Sequence, residues 1–285
     1  MNTNQLLGYP ADARLLIINA DDFGFCHSIN EAIIGTMEHG IVQSTTLMVP
    51  CYAAQEAIAW LQQHPQVPFG IHLTVLRDTL EHKYGPLTDA TLVPSLVDEA
   101  GYFYDFERMA TLRAKAKLAE LEQEFRAQIE TVLAANLRPT HLDWHSLRFG
   151  ERLDILDLMT SLAKEYGLAQ RMIGQSTIDK VQAQGLPTID FDFLDSCSLD
   201  VENKLDHVGR LLKALPAGLS EWAVHPGLGE GDLAQIQPTM IPIRQSDYDT
   251  FVLDEVAQLI AEEGITLLDY RPLQRIWSAS MDKAT

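Results

Sequence analysis

The chain predicts an α/β fold, a single distorted or incomplete (β/α) barrel of the TIM-like kind with its helices outside. Three observations carry this reading. Short apolar runs alternate with longer stretches of helical periodicity along the chain. Several of these runs end in polar residues and a turn, as in Leu15-Leu16-Ile17-Ile18-Asn19-Ala20-Asp21-Asp22-Phe23-Gly24. The chemistry-bearing residues gather at those ends, the edge where the loops of a parallel sheet converge. A barrel commonly occupies 285 residues, so residues 1–285 read as one domain.

The first strand runs into Asp21 and Asp22 at its C-terminal end. Ser28-Ile29-Asn30-Glu31 matches a capping box, and Ile29, Ile33 and Met37 share one face of the helix that follows, with Gly40 as its C-cap. Ile41 to Val49 reads as a second strand stopped by Pro50, and Ala54, Ala57, Ile58 and Leu61 form the next helical stripe. The third strand, Val67 to Leu73, carries His72 near its end. Residues 77–101 lose periodicity and read as a long loop, a lid or substrate wall on the active edge. Phe106 to Ala135 has the spacing of one long helix.

Then comes Arg138-Pro139-Thr140-His141-Leu142-Asp143-Trp144-His145, where alternation in an extended chain puts His141, Asp143 and His145 on one face. Ile155 to Tyr166 forms a helical face closed by Gly167, and Leu168 to Ile173 a short strand. Residues 174–200 carry no readable pattern. A helix around Glu202 to Ala214 leads to the strand Leu219-Ser220-Glu221-Trp222-Ala223-Val224, ending at His225-Pro226-Gly227. Gly229 to Arg244 reads as loop, Val252 to Ile260 as the last long helix, and Ile265 to Leu268 as a final strand.

Composition narrows the function. With 21 Lys+Arg against 40 Asp+Glu, the formal charge is -19 and the pI about 4.7, so nucleic acid and anionic membranes are excluded as expected partners. No apolar run reaches the roughly 20 residues of a membrane helix. Met1 to Arg14 lacks the pattern of a secretory signal. Cys26, Cys51 and Cys197 are scattered and read as inert packing, which makes the cytoplasm the expected compartment. His27, His39, His64, His82 and His207 read as surface residues.

Four strand ends carry Asp21/Asp22, His72, His141/Asp143/His145 and His225, and a parallel barrel opens all four on one face. A carboxylate with two imidazoles is a common divalent-metal set. Each piece has a plain alternative. Asp-Asp at a strand end can be a cap or turn, and His72 a hydrogen-bonded core residue. The triple alternation is harder to explain that way, because that much buried polarity is costly unless a metal, partner or water satisfies it.

At these residues the chain resembles the YdjC-like (ChbG/HpnK-type) carbohydrate deacetylases. The matching pieces are Asn19-Ala20-Asp21-Asp22-Phe23-Gly24, Asn30, Gly40 to Val49, Gly70-Ile71-His72-Leu73, Pro139 to His145, and Glu221 with His225-Pro226, in the family's order. The resemblance implies a hydrolase that removes acetyl groups from N-acetylated amino sugars or oligosaccharides. Asp22, His72 and His145 match its ligands to one divalent metal ion, zinc or magnesium. Asp21 matches its general base and His225 its general acid. His141 and Asp143 would steady His145 and its loop or face the substrate. By its own position, two alternations before His225, Glu221 would either orient that ring or be an exposed strand residue. Two departures are visible: where the family often continues its motif with histidines, Trp144 and Leu147 alter the wall beside the implied metal and Arg148 adds a cation, and residues 174–200 show no motif that aligns. The expected partner is a small carbohydrate, with a homodimer as the base-rate assembly. A metal-dependent lyase or isomerase on a sugar phosphate would instead need Gly227, Gly229 and Arg244 as a phosphate site. A catalytically silent sugar-binding barrel would be expected to lack Asp21, Asp22, His72 or His145, and all four are present.

Overall fold

The computed structural model describes residues 3–281. In chain order the strands are β1 (Arg14–Phe23), β2 (Ser44–Leu47), β3 (Phe69–Leu73), β4 (Leu76–Arg77), β5 (Tyr104–Asp105), β6 (His141–Trp144), β7 (Ala169–Gln170), β8 (Leu194–Asp195), β9 (Gly218–Val224) and β10 (Ile265–Leu268). β4 and β5 pair only with each other. The remaining strands form one sheet, parallel at every pairing.

β1 is its centre. Beyond Arg14 it is buried along its length, and Leu15 to Ile18 show no alternation, as a strand covered on both faces requires. β9 lies along one edge from Arg14 to Ala20. The other edge is shared, β10 pairing with Arg14–Ile17 and β2 with Asn19–Phe23. The path then runs β2, β3, β6, β7 on one side and β9, β8 on the other. In chain order this is β1, β2, β3, β6, β7, β8, β9 and back to β1. Among the described residues no pairing joins β7 to β8, so the barrel is incomplete as expected.

The helices bury one face each against this sheet. His27–His39 buries Ile29 and Ile33, Leu118–Ala134 buries Leu121, Phe125 and Ile129, and Leu153–Tyr166 buries Ile155, Met159 and Leu162. Gly167, with φ 65°, ends the last of these in the left-handed conformation that glycine adopts without cost.

Several local readings change. Phe106 to Ala135 is not one helix. It is a 3-10 turn at Phe106–Arg108, a helix at Met109–Lys115, a break through Ala116 and Lys117, and the helix Leu118–Ala134. Lys117 there is extended, and its amide is bonded by Ser95 Oγ rather than by the preceding turn. The Ser28–Glu31 capping box does not form. Cys26 is the N-cap, and Asp232 from the loop after neighbouring β9 accepts from the amides of His27 and Ser28 at 2.8 and 3.0 Å. The second strand is shorter than Ile41 to Val49. Ile241–Phe251, read as loop in its first residues, is a helix, and Arg271–Met281 is another that places Leu273 and Trp277 in the core. His82 is not a surface residue: it is buried among Phe25, Tyr52 and Tyr84, and burial lowers its pKa to about 4.

Gly70 on β3 shows how closely the barrel interior is packed. A Cβ at this position would meet His141 Cε1 at 2.5 Å. The imidazole cannot yield, because its other face is stacked on Tyr270 with centroids 3.6 Å apart and planes 9° off parallel. Gly70→Ala is therefore expected to lower unfolding stability by about 1–3 kcal/mol, read from urea midpoints. An unchanged midpoint would mean that the ring slides aside at no cost.

Candidate active site

The two adjacent carboxylates of β1 would ordinarily point to opposite faces of the sheet. Here the register against β2 shifts between Ala20 and Phe23, and Asp22 adopts φ 74°. A bulge of this kind turns a side chain that the pleat would send outward, and both Asp21 and Asp22 line the same cavity. Gly24, at φ 93°, completes the turn, and its amide donates to Asn30 Oδ1 at 2.6 Å. Asn30 therefore holds the loop rather than the chemistry.

Asp22, His72 and His145 come together, all buried, with ligand atoms within 4.8 Å of one another. Asp22 Oδ1 faces His145 Nδ1 at 3.0 Å and His72 Nε2 at 3.4 Å. The far nitrogen of each ring is anchored to a carboxylate: His72 Nδ1 to Asp143 at 2.7 Å, His145 Nε2 to Asp78 at 3.1 Å. This is the arrangement by which metal-binding imidazoles are fixed in tautomer and aimed. The residues fit a divalent ion, because each ring's remaining lone pair points at a shared carboxylate oxygen. Burial opposes charge on both rings, yet Asp143 and Asp22 raise His72 to about 10, and Asp78 and Asp22 raise His145 to about 9.

Arg171 organises the other half. It follows β7 directly and donates to both oxygens of Asp21, at 2.7 and 2.8 Å. It also bonds Glu221 at 2.8 Å and lies 3.0 Å from Asp143. Burial opposes ionisation of Asp21, but Arg171 outweighs it and holds the carboxyl well below its usual range. Asn19 Nδ2 adds a bond to Asp21 Oδ1 at 2.8 Å. On Asp22 the second oxygen accepts from Arg244 at 2.7 Å.

His225 stands at the end of β9 with Nε2 3.9 Å from Asp21 Oδ2. Its amide donates to Asp247, on the same helix as Arg244. Burial works against its charged form, but Cys197, Asp195 and Asp21 raise its pKa well above the ordinary value. The cavity holding these groups measures about 530 Å³, and Phe106, Trp144, Leu147, Phe149, Phe193 and Met240 supply apolar wall. Exposed Arg148 stands at its edge, 5.7 Å from the Phe106 ring.

Asp21, Asp22, His72, His145 and His225 are thus brought together, with Trp144 and Arg148 on the wall and Asp143 behind His72. His141 is a correction. It does not line the cavity but packs deeper, between Gly70 and Tyr270, with its charged form disfavoured first by burial and then by Arg171. Glu221 is another. Its partners are Arg171 and the Tyr270 hydroxyl, at 2.8 and 2.5 Å, and it does not orient His225. Sequence reasoning missed Arg171, Asp78, Asp195 and Cys197. The signal for Arg171 was present, a cation just after the short strand Leu168-Ala169-Gln170. Asp78 lies in a loop and Asp195 in the unpatterned stretch, where nothing marked them. Arg244 does not serve a phosphate, because it is buried against Asp22 and Gln237. Gly227 and Gly229 are there for close packing: a Cβ would meet Leu233 at 2.9 Å or Ile241 at 2.7 Å.

Fold and site together define a class, an incomplete parallel barrel whose strand ends surround a trio able to hold a divalent ion, with an arginine-clamped carboxylate and a histidine. A family model described as YdjC-like protein matches residues 15–262, and the chain belongs to that family. A carbohydrate deacetylase of Enterococcus faecalis is 30% identical over 91% of this chain and 98% of its own. A chitooligosaccharide deacetylase of Serratia marcescens is 27% identical over 91% of this chain and 99% of its own. A crystal structure from Enterococcus faecalis, provisionally named a cellobiose-phosphate cleavage protein, superposes with TM-score 0.78 at 29% identity, covering 92% of this chain and 99% of that one.

Proposed function

We propose that the protein is a metal-dependent hydrolase that removes the acetyl group from an N-acetylated amino sugar or oligosaccharide. The observation that carries this is the meeting of Asp22, His72 and His145 beside Asp21 and His225 in one cavity. The names of the deacetylase relatives support the substrate class. Residues 1–285 act as one unit in this reading, in the cytoplasm. Among the described residues no helix is long and apolar enough to cross a membrane.

Asp22, His72 and His145 would hold one divalent ion, zinc by the softness of two imidazoles or magnesium by the resemblance. Such an ion supplies Lewis acidity, polarising the acetyl carbonyl and acidifying water, which a base as weak as the clamped Asp21 requires. Asp21 is ionised throughout the physiological range and accepts the proton of the attacking water. Arg171 keeps both its oxygens in place while this happens. As the C–N bond breaks, His225 Nε2 delivers a proton to the leaving nitrogen, so acetate and a free amino sugar are the products. The apolar wall of Trp144, Phe193 and Phe106 suits the faces of pyranose rings.

The test is acetate release from a panel of N-acetylated mono- and oligosaccharides, using metal-stripped protein with zinc, magnesium, manganese or cobalt restored. Release that requires metal is expected. No release from any member with metal bound would end the reading.

The pH behaviour of metal binding follows from the two imidazoles. Both must give up the proton facing Asp22 before they can be ligands. With pKa values of about 10 and 9, apparent affinity is expected to rise with pH up to about 10. The stripped protein shows the opposite trend in stability. A folded pKa raised above the reference 6.5 contributes stability in full below that value, and the contribution is lost as pH rises through 9 to 10. Thermal unfolding with and without metal from pH 6 to 10 should therefore show two diverging curves. Parallel curves would show that these histidines are not the ligands.

A further inference from the structure

A second cluster of metal-binding side chains stands apart from the trio of Asp22, His72 and His145. Asp195, Cys197 and His225 have ligand atoms within 4.8 Å of one another, all three partly exposed and lining the cavity. His225 Nδ1 is 3.3 Å from Cys197 Sγ and 3.7 Å from Asp195 Oδ1. Tetrahedral ligands at zinc bond lengths stand about 3.3–3.6 Å apart, so the spacing is already that of ligands around one ion. The arrangement is held by the chain itself. Asp195 accepts from the Cys197 amide at 2.8 Å, closing a tight turn that sets the two side chains together. Asp247 bonds both the Ser196 hydroxyl and the His225 amide, pinning that turn to the end of β9.

We propose that Asp195, Cys197 and His225 form a second, inhibitory site for a borderline-soft divalent ion such as zinc or cobalt, completed by water from the cavity. The thiolate and imidazole select such ions over magnesium. An ion here uses the lone pair of His225 Nδ1. The Nε2 proton that remains, 3.9 Å from Asp21, belongs to a neutral ligand ring and is far less acidic than that of an imidazolium. His225 then no longer delivers a proton, and turnover stops. This consequence rests on the role proposed for His225, whereas the binding site itself does not.

The experiment is cobalt titration of metal-stripped protein, followed by absorption. The first equivalent fills Asp22, His72 and His145, which include no sulfur. The second is expected to raise a thiolate-to-cobalt charge-transfer band in the near ultraviolet. Cys197→Ser should abolish the band and leave the first equivalent in place, and Asp195→Asn should weaken only the second. If turnover is established, excess zinc should inhibit the parent and not Cys197→Ser. Absence of the band at cobalt excess, or its persistence in Cys197→Ser, overturns the proposal and leaves the deacetylase reading untouched.

Discussion

Asp21→Asn is expected to reduce acetate release by about 10²–10⁴-fold, the range lost when a positioned general base is removed. The loss should fall on kcat with KM little changed, because the carboxamide keeps the shape of the side chain but cannot take a proton; it also gives up one of the two oxygens that accept from Arg171, so stability should fall as well. Metal content should stay at the parent's level, since Asp22, His72 and His145 are the proposed ligands. That pairing of outcomes separates Asp21 from Asp22, its neighbour in sequence. Asp22→Asn should lose metal and activity together. Retention of most activity in Asp21→Asn would transfer the base to another group, and His225, 3.9 Å away in the same cavity, is the first candidate.

Arg171→Met should have the largest effect on stability. Arg171 is 2% exposed and lies among Asp21, Asp143 and Glu221, all buried. Removing one partner of a buried ion pair costs about 3–5 kcal/mol, and here three carboxylates lose a common cation. Urea unfolding at neutral pH should show a loss of at least that size, or no folded protein. The pH dependence identifies the cause. In the parent, Asp21 has a folded pKa below its reference value of 3.8, so its contribution is present above that value and lost as pH falls. In the variant the buried carboxylates have raised pKa values, so the deficit relative to the parent should shrink on acidification as they become neutral. A deficit independent of pH would indicate a packing defect instead. Arg171→Lys keeps the charge without the paired donors and should fall between the two.

Much of the site was legible because its members sit where local rules are strong. A strand of residues 15–18 has only one way to end at Asp21 and Asp22, and alternation in an extended chain brings Asp143 and His145 to one face. The same rule placed His141 on that face, and in this it was correct about direction and wrong about role. Two residues along a strand are about 7 Å, enough to take a side chain from the cavity into the packed interior, where His141 meets Tyr270 and Gly70. Glu221 was misread for a related reason. It lies four residues before His225 on β9, yet the cation it serves, Arg171, comes from β7, 50 residues away in sequence. The broken helix between 106 and 134 was not legible, because Ala116 and Lys117 are compatible with a helix and it is residues remote in sequence, Ser95 at the Lys117 amide and Arg152 at the Arg113 and Ala116 carbonyls, that bond the chain at the break.

The sequence by itself determined the parallel α/β class, the strand ends that carry Asp21, Asp22, His72, His145 and His225, and the acidic charge balance. Periodicity, strand termination and net charge are properties of neighbouring residues or of simple sums, so one chain suffices to read them. Only the tertiary structure decided that the bulge at Asp22 turns both carboxylates inward, and that Arg171, Asp78 and Arg244 hold Asp21, His145 and Asp22 in place. It alone set Asp195 and Cys197 against His225. Those contacts join residues from loops and opposite strands, and their direction is set by how the barrel curves, which nothing within a short stretch of sequence encodes.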